Sequence, residues 1–187
     1  MHYLILIIGA WAGYLLLHSL LAADRIKAAV PLNAQVYRLF YSLVSVAGLL
    51  GLLYLMALAP AKLLFTPPGW MRYGAMIFAS WGVIIVMVSF RHLSMLSFLG
   101  LKKEPATGLV REGIHGYVRH PIYSGTILVL IGMVGYHPTD VNVATVLTVF
   151  AYLPLGIRWE EQKLLKQYGQ AYEQYKKEVP AIVPGRG

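Results

Sequence analysis

Cysteine is absent from this chain and charge is scarce. With no Cys among 187 residues, disulfides, Cys-ligated zinc or iron–sulfur clusters and a thiol nucleophile are all excluded. Only 13% of the residues are Asp, Glu, Lys or Arg, and the acidic ones are the rarer, 8 against 16 basic, for a formal charge of +8. In a soluble chain that excess would suggest nucleic acid. Here 58% of residues are hydrophobic and the mean hydropathy is +0.61, well outside the soluble norm. The excess therefore reads as cytoplasmic loops facing anionic membrane lipid, and no nucleic-acid partner is expected. No linker, repeat or low-complexity tract divides the chain, so one membrane domain, 1–187, is expected.

Several motifs are missing as well. There is no His-Glu-x-x-His, and His115 and His120 are five apart, off a common helical face, so no metal site is expected. Nothing resembles a P-loop or Gly-x-Gly-x-x-Gly phosphate cradle. Ser124 lacks the elbow that a hydrolase nucleophile needs.

What is present is a series of apolar runs. Tyr3 to about Ala23 is long enough for a span of roughly 20 residues, and with no positive charge before Arg25 it reads as a retained helix rather than a signal peptide. Leu39 to about Ala61 follows, closed by Pro60 and Pro67-Pro68-Gly69, and then Tyr73 to Phe90. A polar connection, 94–121, comes next, within a stretch where Leu93 to Leu101 is apolar enough to lie in the interface. Two shorter runs, Ile122 to Tyr136 and Val141 to Ile157, are joined by His137-Pro138-Thr139-Asp140 as a tight helical hairpin, 122–157. Its first arm is barely long enough to span, and Pro154 is expected to kink the second. From Arg158 the character changes. Leu164, Tyr168, Tyr172, Tyr175 and Val179 recur at three- and four-residue steps between lysines, which predicts an amphipathic helix along the membrane surface or over the bundle, weakened at Gly169. The fold expected is all-α and polytopic: three transmembrane helices in 1–93, two more in the hairpin, and a tail, 158–187. His18, His92 and His137 read as lone structural histidines, and Trp11, Trp70, Trp81 and Trp159 as interface residues.

With five spans, three segments share one membrane face and hold 14 of the 16 basic residues, while the other face keeps Lys62 and Arg72. The positive-inside rule then places the N-terminus outside and the tail in the cytoplasm, in the inner membrane if the cell is bacterial.

Polar chemistry concentrates in two places. One is Gly113 to Gly125, with Tyr117, Arg119, His120, Pro121 and Tyr123. The other is Arg158-Trp159-Glu160-Glu161. A hairpin would bring them together, so that Glu160 or Glu161 faces Arg119 and His120. Ionisable groups at such depth are usually paired or functional. On residue types alone, a structural Arg–Glu staple and a binding site are equally open.

The pattern Gly-x-x-x-Tyr-Val-Arg-His-Pro-x-Tyr-x-Gly, from Gly113 to Gly125, is followed by Glu-Glu-x-x-Leu-x-x-x-x-Gly-x-x-Tyr-x-x-Tyr-x-x-x-Val-Pro, from Glu160 to Pro180. Together they resemble the integral-membrane methyltransferase superfamily of isoprenylcysteine carboxyl methyltransferases and phospholipid methyltransferases. The run Phe90-Arg91-His92 through Phe98 to Lys102 and the ending Val179 to Pro184 look, more loosely, like the bacterial methanethiol S-methyltransferase branch. His115 and Gly116 depart from the Tyr-Arg usual there. The resemblance covers about residues 108–184.

The resemblance implies a site for S-adenosyl-L-methionine, with S-adenosyl-L-homocysteine as product, built from Tyr117, Arg119, His120, Pro121, Tyr123, Gly125, Glu160 and Glu161. Arg119 and Glu160 would act catalytically, mainly by positioning. Arg119 and His120 suit the cofactor's carboxylate, Glu160 or Glu161 its amino group, Tyr117, Pro121 or Tyr123 its adenine, and tyrosine faces its sulfonium. The acceptor would be lipophilic or small: a carboxylate, an amine or a thiol. Two other classes stay open, an NADPH-dependent reductase of the sterol-reductase type and a non-catalytic membrane module.

Overall fold

The computed structural model describes residues 2–91, 96, 99, 101–102 and 108–185. Among them the regular elements are helices: α1 (His2–Ala22), α2 (Asp24–Ala29), α3 (Ala34–Leu58), α4 (Gly69–Ser89), a 3-10 turn at Gly113–Gly116, α5 (Pro121–Tyr136), α6 (Asp140–Tyr168) and α7 (Gln170–Glu178). Four of them, α1, α3, α4 and α6, are long and apolar enough to cross a membrane. The 16 residues of α5 rise about 24 Å, short of a hydrocarbon core of about 30 Å. Leu93 and Phe98 of the expected interfacial stretch, and His92, expected to be a lone structural histidine, lie outside the described residues.

Helix ends follow local chemistry. α3 starts before its apolar run because Asn33 caps it, its side chain accepting from the Val36 N–H at 2.9 Å. α6 starts at a Thr139 cap, whose hydroxyl accepts from the Asn142 N–H at 3.1 Å. Asp140 accepts there from the N–H groups of Val141 and Lys62, at 2.8 and 2.9 Å. The change of character at Arg158 is not a break: α6 continues through Pro154 and Arg158 to Tyr168. The break comes at Gly169, whose φ of +53° is one that L side chains rarely adopt, and the amphipathic helix after it is α7.

The chain forms two compact units. The first comprises Met1–Thr66, Ser94–Pro105 and His137–Tyr152. In it α1 packs on α3, Leu64 N–H donates to the Pro138 carbonyl at 2.9 Å, and the Tyr3 hydroxyl donates to Asp140. His18 is not the lone histidine expected. Its ring nitrogens lie 3.0 Å from the Ser45 hydroxyl and 2.8 Å from that of Tyr41, groups one helical turn apart on α3. Trp11, expected at an interface, is instead buried edge-on to Tyr14; Trp70, Trp81 and Trp159 are exposed.

The second unit comprises Pro67–Leu93, Ala106–Tyr136 and Leu153–Gly187. Its α4 and α5 lie against each other along their lengths, close enough that a Cβ on Gly125 would stand 2.5 Å from the Gly82 carbonyl oxygen, and one on Gly132 2.6 Å from that of Ala75. This close backbone approach is the packing mode available in lipid, where small residues admit dispersion contact in place of a hydrophobic driving force. Tyr172, Tyr175 and Val179 form a second core with Leu109, Leu164 and Tyr168, so α7 buries its apolar face on its own unit.

Candidate functional site

The site lies within the second unit, where the start of α5 meets the polar end of α6 and the tail. Gly113, at φ +60°, opens the 3-10 turn in a conformation suited to glycine. His115 is buried; its carbonyl accepts from the Tyr175 hydroxyl at 2.6 Å and its Nε2 lies 3.5 Å from the Ser89 carbonyl. The residue that departs from the methyltransferase pattern therefore serves as a strut between the turn, α4 and α7. Arg111 adds a second tie, donating to the Ala171 carbonyl and lying 5.3 Å over the Tyr175 ring.

Arg119 and Glu161 meet as the residue types suggested. Arg119 Nε and Nη2 both donate to Glu161 Oε1, at 3.0 and 2.5 Å. Lys176 Nζ reaches the other carboxylate oxygen at 2.7 Å. The pair is 9% and 13% exposed, so it is largely withdrawn from water. Glu161 sits four residues beyond the apolar run that ends at Ile157, outside the spanning part of α6. Burial raises its pKa, but hydrogen bonds from Lys176 and Arg119, the Arg119 charge and His120 together outweigh that and hold it at about 2.

His120 is buried between two carboxylates, its Nδ1 3.6 Å from Glu160 Oε2 and its Nε2 3.4 Å from Glu161 Oε1, with its ring 5.5 Å from that of Tyr123. Glu160 itself is half-exposed. Tyr117 is 69% exposed. Pro121 is fully buried at the helix start, and Gly125, one turn further on, faces Gly82 and Val86 of α4.

The tail closes over this start. The backbone N–H groups of Arg119 and His120 donate to the carbonyls of Pro180 and Ala181, each at 2.9 Å. The Ser124 hydroxyl donates to the Ile182 carbonyl at 2.6 Å. Arg119 Nη1 donates to the carbonyls of Lys176, at 3.2 Å, and Val179.

Two side chains here escaped the reading by residue type. Lys176 neutralises Glu161, and the Tyr172 hydroxyl is buried with no hydrogen-bond partner. Burial, and then the Glu161 charge, push the Tyr172 pKa well above the ordinary phenol value, so it is a neutral donor. Both residues lie in the repeating pattern of the tail, where periodicity signals packing and does not distinguish a hydroxyl that is used from one that is not.

A family model described as NnrU protein matches residues 5–183. The chain belongs to the NnrU protein family. Known members of other groups are similar over parts of it. Protein-S-isoprenylcysteine O-methyltransferase of Schizosaccharomyces pombe is 35% identical over 79 residues, 41% of this chain and 33% of that protein. Protein-S-isoprenylcysteine O-methyltransferase B of Arabidopsis thaliana is 30% identical over 97 residues, 51% of this chain and 47% of its own length. Methanethiol S-methyltransferase of Crocosphaera subtropica is 29% identical over 112 residues, 55% of this chain and 43% of that enzyme. This NnrU family member is thus a distant homologue of methyltransferases, and the chain spans less than half the length of each of these relatives. No solved structure matches it.

Proposed function

We propose that this protein is an integral-membrane methyltransferase that uses S-adenosyl-L-methionine and acts on a lipophilic or small acceptor, with its site on the cytoplasmic face. The observation that carries the reading is the convergence of Arg119, His120, Glu160 and Glu161 at one end of α5. Cationic and anionic side chains held side by side match the zwitterionic amino-acid end of the cofactor, and that donor set is the test of fit. Arg119 and His120 suit its carboxylate, the half-exposed Glu160 its amino group, and Tyr117 or Tyr123 its adenine, Pro121 being fully buried. Glu161 lies behind them, holding Arg119 and Lys176 in place. The distant relationship to three named methyltransferases supports the same reading.

When bound, the cofactor supplies a methyl group on a sulfonium, whose leaving group is a neutral thioether. No acid is then required at that end, and the chain's own contribution is to hold the acceptor in line and to exclude water with the tail. His120, set between two carboxylates, is the group at the site able to move a proton, which an amine or thiol acceptor would require and a carboxylate would not. The concentration of Lys and Arg on one side supports a cytoplasmic site.

A second reading has a specific observation in its favour. Three nitrogens of Arg119 are already engaged by Glu161 and the tail, as a structural staple requires. Incubating the purified protein in lipid with methyl-labelled cofactor and a panel of prenylcysteine, phospholipid-amine, quinone-like and thiol acceptors separates the two. Label transferred to one class supports the enzyme; none transferred to any supports the staple.

A further inference from the structure

Among the described residues of the site, the Tyr172 hydroxyl is the buried polar group that the fold leaves without an acceptor. Tyr172 is fully buried and its hydroxyl proton meets no acceptor, the donor Arg119 alone approaching its oxygen, whereas Tyr175, one turn on, is buried and satisfied by the His115 carbonyl at 2.6 Å. A buried hydroxyl without a partner is destabilising relative to the same ring without the oxygen. Phenylalanine would fill the core that Tyr172 shares with Tyr175 and Val179 equally well, so packing does not account for the oxygen.

Its surroundings indicate what it is for. The Tyr172 ring packs with Val179, whose carbonyl accepts from Arg119 Nη1, and the hydroxyl lies in the field of Glu161, Arg119 and Glu160. The other donors gathered there, the N–H groups of Arg119 and His120, the Ser124 hydroxyl and Arg119 Nη1, are met by carbonyls of one short stretch, Lys176 to Ile182. Those acceptors are neutral. An anionic oxygen makes charge-assisted bonds roughly twice as strong, and a helix N-terminus favours it further, so a carboxylate competes well against tail carbonyls for the same donors.

We infer that Tyr172 donates its hydroxyl hydrogen bond to the carboxylate of the bound ligand, in a subsite shared with the Arg119 side chain and the N–H groups of Arg119 and His120 just before α5, and strapped in this structure by residues 176–182. The inference rests on the methyltransferase reading, in which that ligand is the cofactor's amino-acid end. Tyr172 is then a specificity residue: it separates ligands that carry the carboxylate from those with only the adenine and thioether.

The test is calorimetric titration of the full chain in lipid nanodiscs with S-adenosylhomocysteine and with 5′-methylthioadenosine, which lacks the amino-acid end. Tyr172→Phe should bind S-adenosylhomocysteine about tenfold more weakly, the loss of roughly one hydrogen bond, and methylthioadenosine unchanged. Its unfolding temperature should stay level or rise. Tyr175→Phe, which removes a satisfied hydroxyl, should lower the unfolding temperature and show no preference between the two ligands. Equal weakening for both ligands in Tyr172→Phe, or no weakening for either, overturns the inference while leaving the methyltransferase reading in place. Failure of the unaltered protein to bind either ligand overturns both.

Discussion

Arg119 and Glu161 stand 42 residues apart in sequence and meet as a two-pronged pair, Nε and Nη2 converging on a single carboxylate oxygen. Neither exposes more than a small fraction of its side chain. Removing Glu161 leaves the Arg119 charge, withdrawn from water, without its carboxylate, and removing Arg119 leaves Glu161 to Lys176 and His120 alone. Glu161→Ala should therefore cost about 3 kcal/mol, the low end for a broken buried pair, and Arg119→Ala less, in each case a shift of several degrees in unfolding temperature. Arg119→Lys should fall between, because an ammonium keeps the charge and loses the fork. Thermal unfolding in detergent, with the double variant closing the cycle, checks both.

The same carboxylate makes that contribution depend on acid. Glu161 titrates at about 2 in the folded chain against an ordinary 4.5. Its pKa is depressed, so its stabilisation is complete above 4.5 and is lost as pH falls from there towards 2. The gap in unfolding temperature between the unaltered protein and Glu161→Gln should be constant from neutral pH to about 5 and narrow progressively below it. A gap that stays the same at pH 3 would mean that the pair is not what holds the tail.

Glu160 and His120 test function rather than folding. Glu160 is half-exposed and its 3.6 Å contact with His120 is long, so Glu160→Gln should leave expression and unfolding temperature close to normal. If the site binds the cofactor, this variant and His120→Ala should weaken S-adenosylhomocysteine by about tenfold, the scale of one charge-assisted contact. Variants that fail to fold would move both residues to the structural side.

The α4–α5 contact yields a contrast between glycines. A Cβ at position 125 meets the Gly82 carbonyl oxygen at 2.5 Å and Val86 Cγ2 at 2.7 Å, whereas at Gly51 nothing lies within 4 Å. Gly125→Ala should destabilise by about 1–3 kcal/mol as the helices are pushed apart. Gly51→Ala should be neutral or stabilising, since alanine is the better helix former by about 1 kcal/mol. Unfolding temperatures of the two variants decide it.

Much of this was legible in the residues. Uncharged runs announced the long helices, and the Arg-His-Pro and Glu-Glu clusters, of opposite charge, announced a meeting. Other features have no one-dimensional signature. The continuation of α6 past Arg158 depends on helix-forming residues that look the same whether they extend a span or begin a new element. Trp11 looks like an interface residue by type, and its burial is decided by its neighbours. That His18 pairs with Tyr41 and Ser45 depends on the rotation of two helices. That the Tyr172 hydroxyl proton lacks an acceptor depends on which atoms the fold packs around it.

The central claim is that the Arg119–His120–Glu160 cluster holds an S-adenosyl cofactor. Titrating the purified protein with S-adenosylhomocysteine and, separately, with NADPH tests it most directly. The account predicts saturable binding of S-adenosylhomocysteine, weakened by Glu160→Gln, and none of NADPH. Binding of NADPH alone, or of neither, would contradict it.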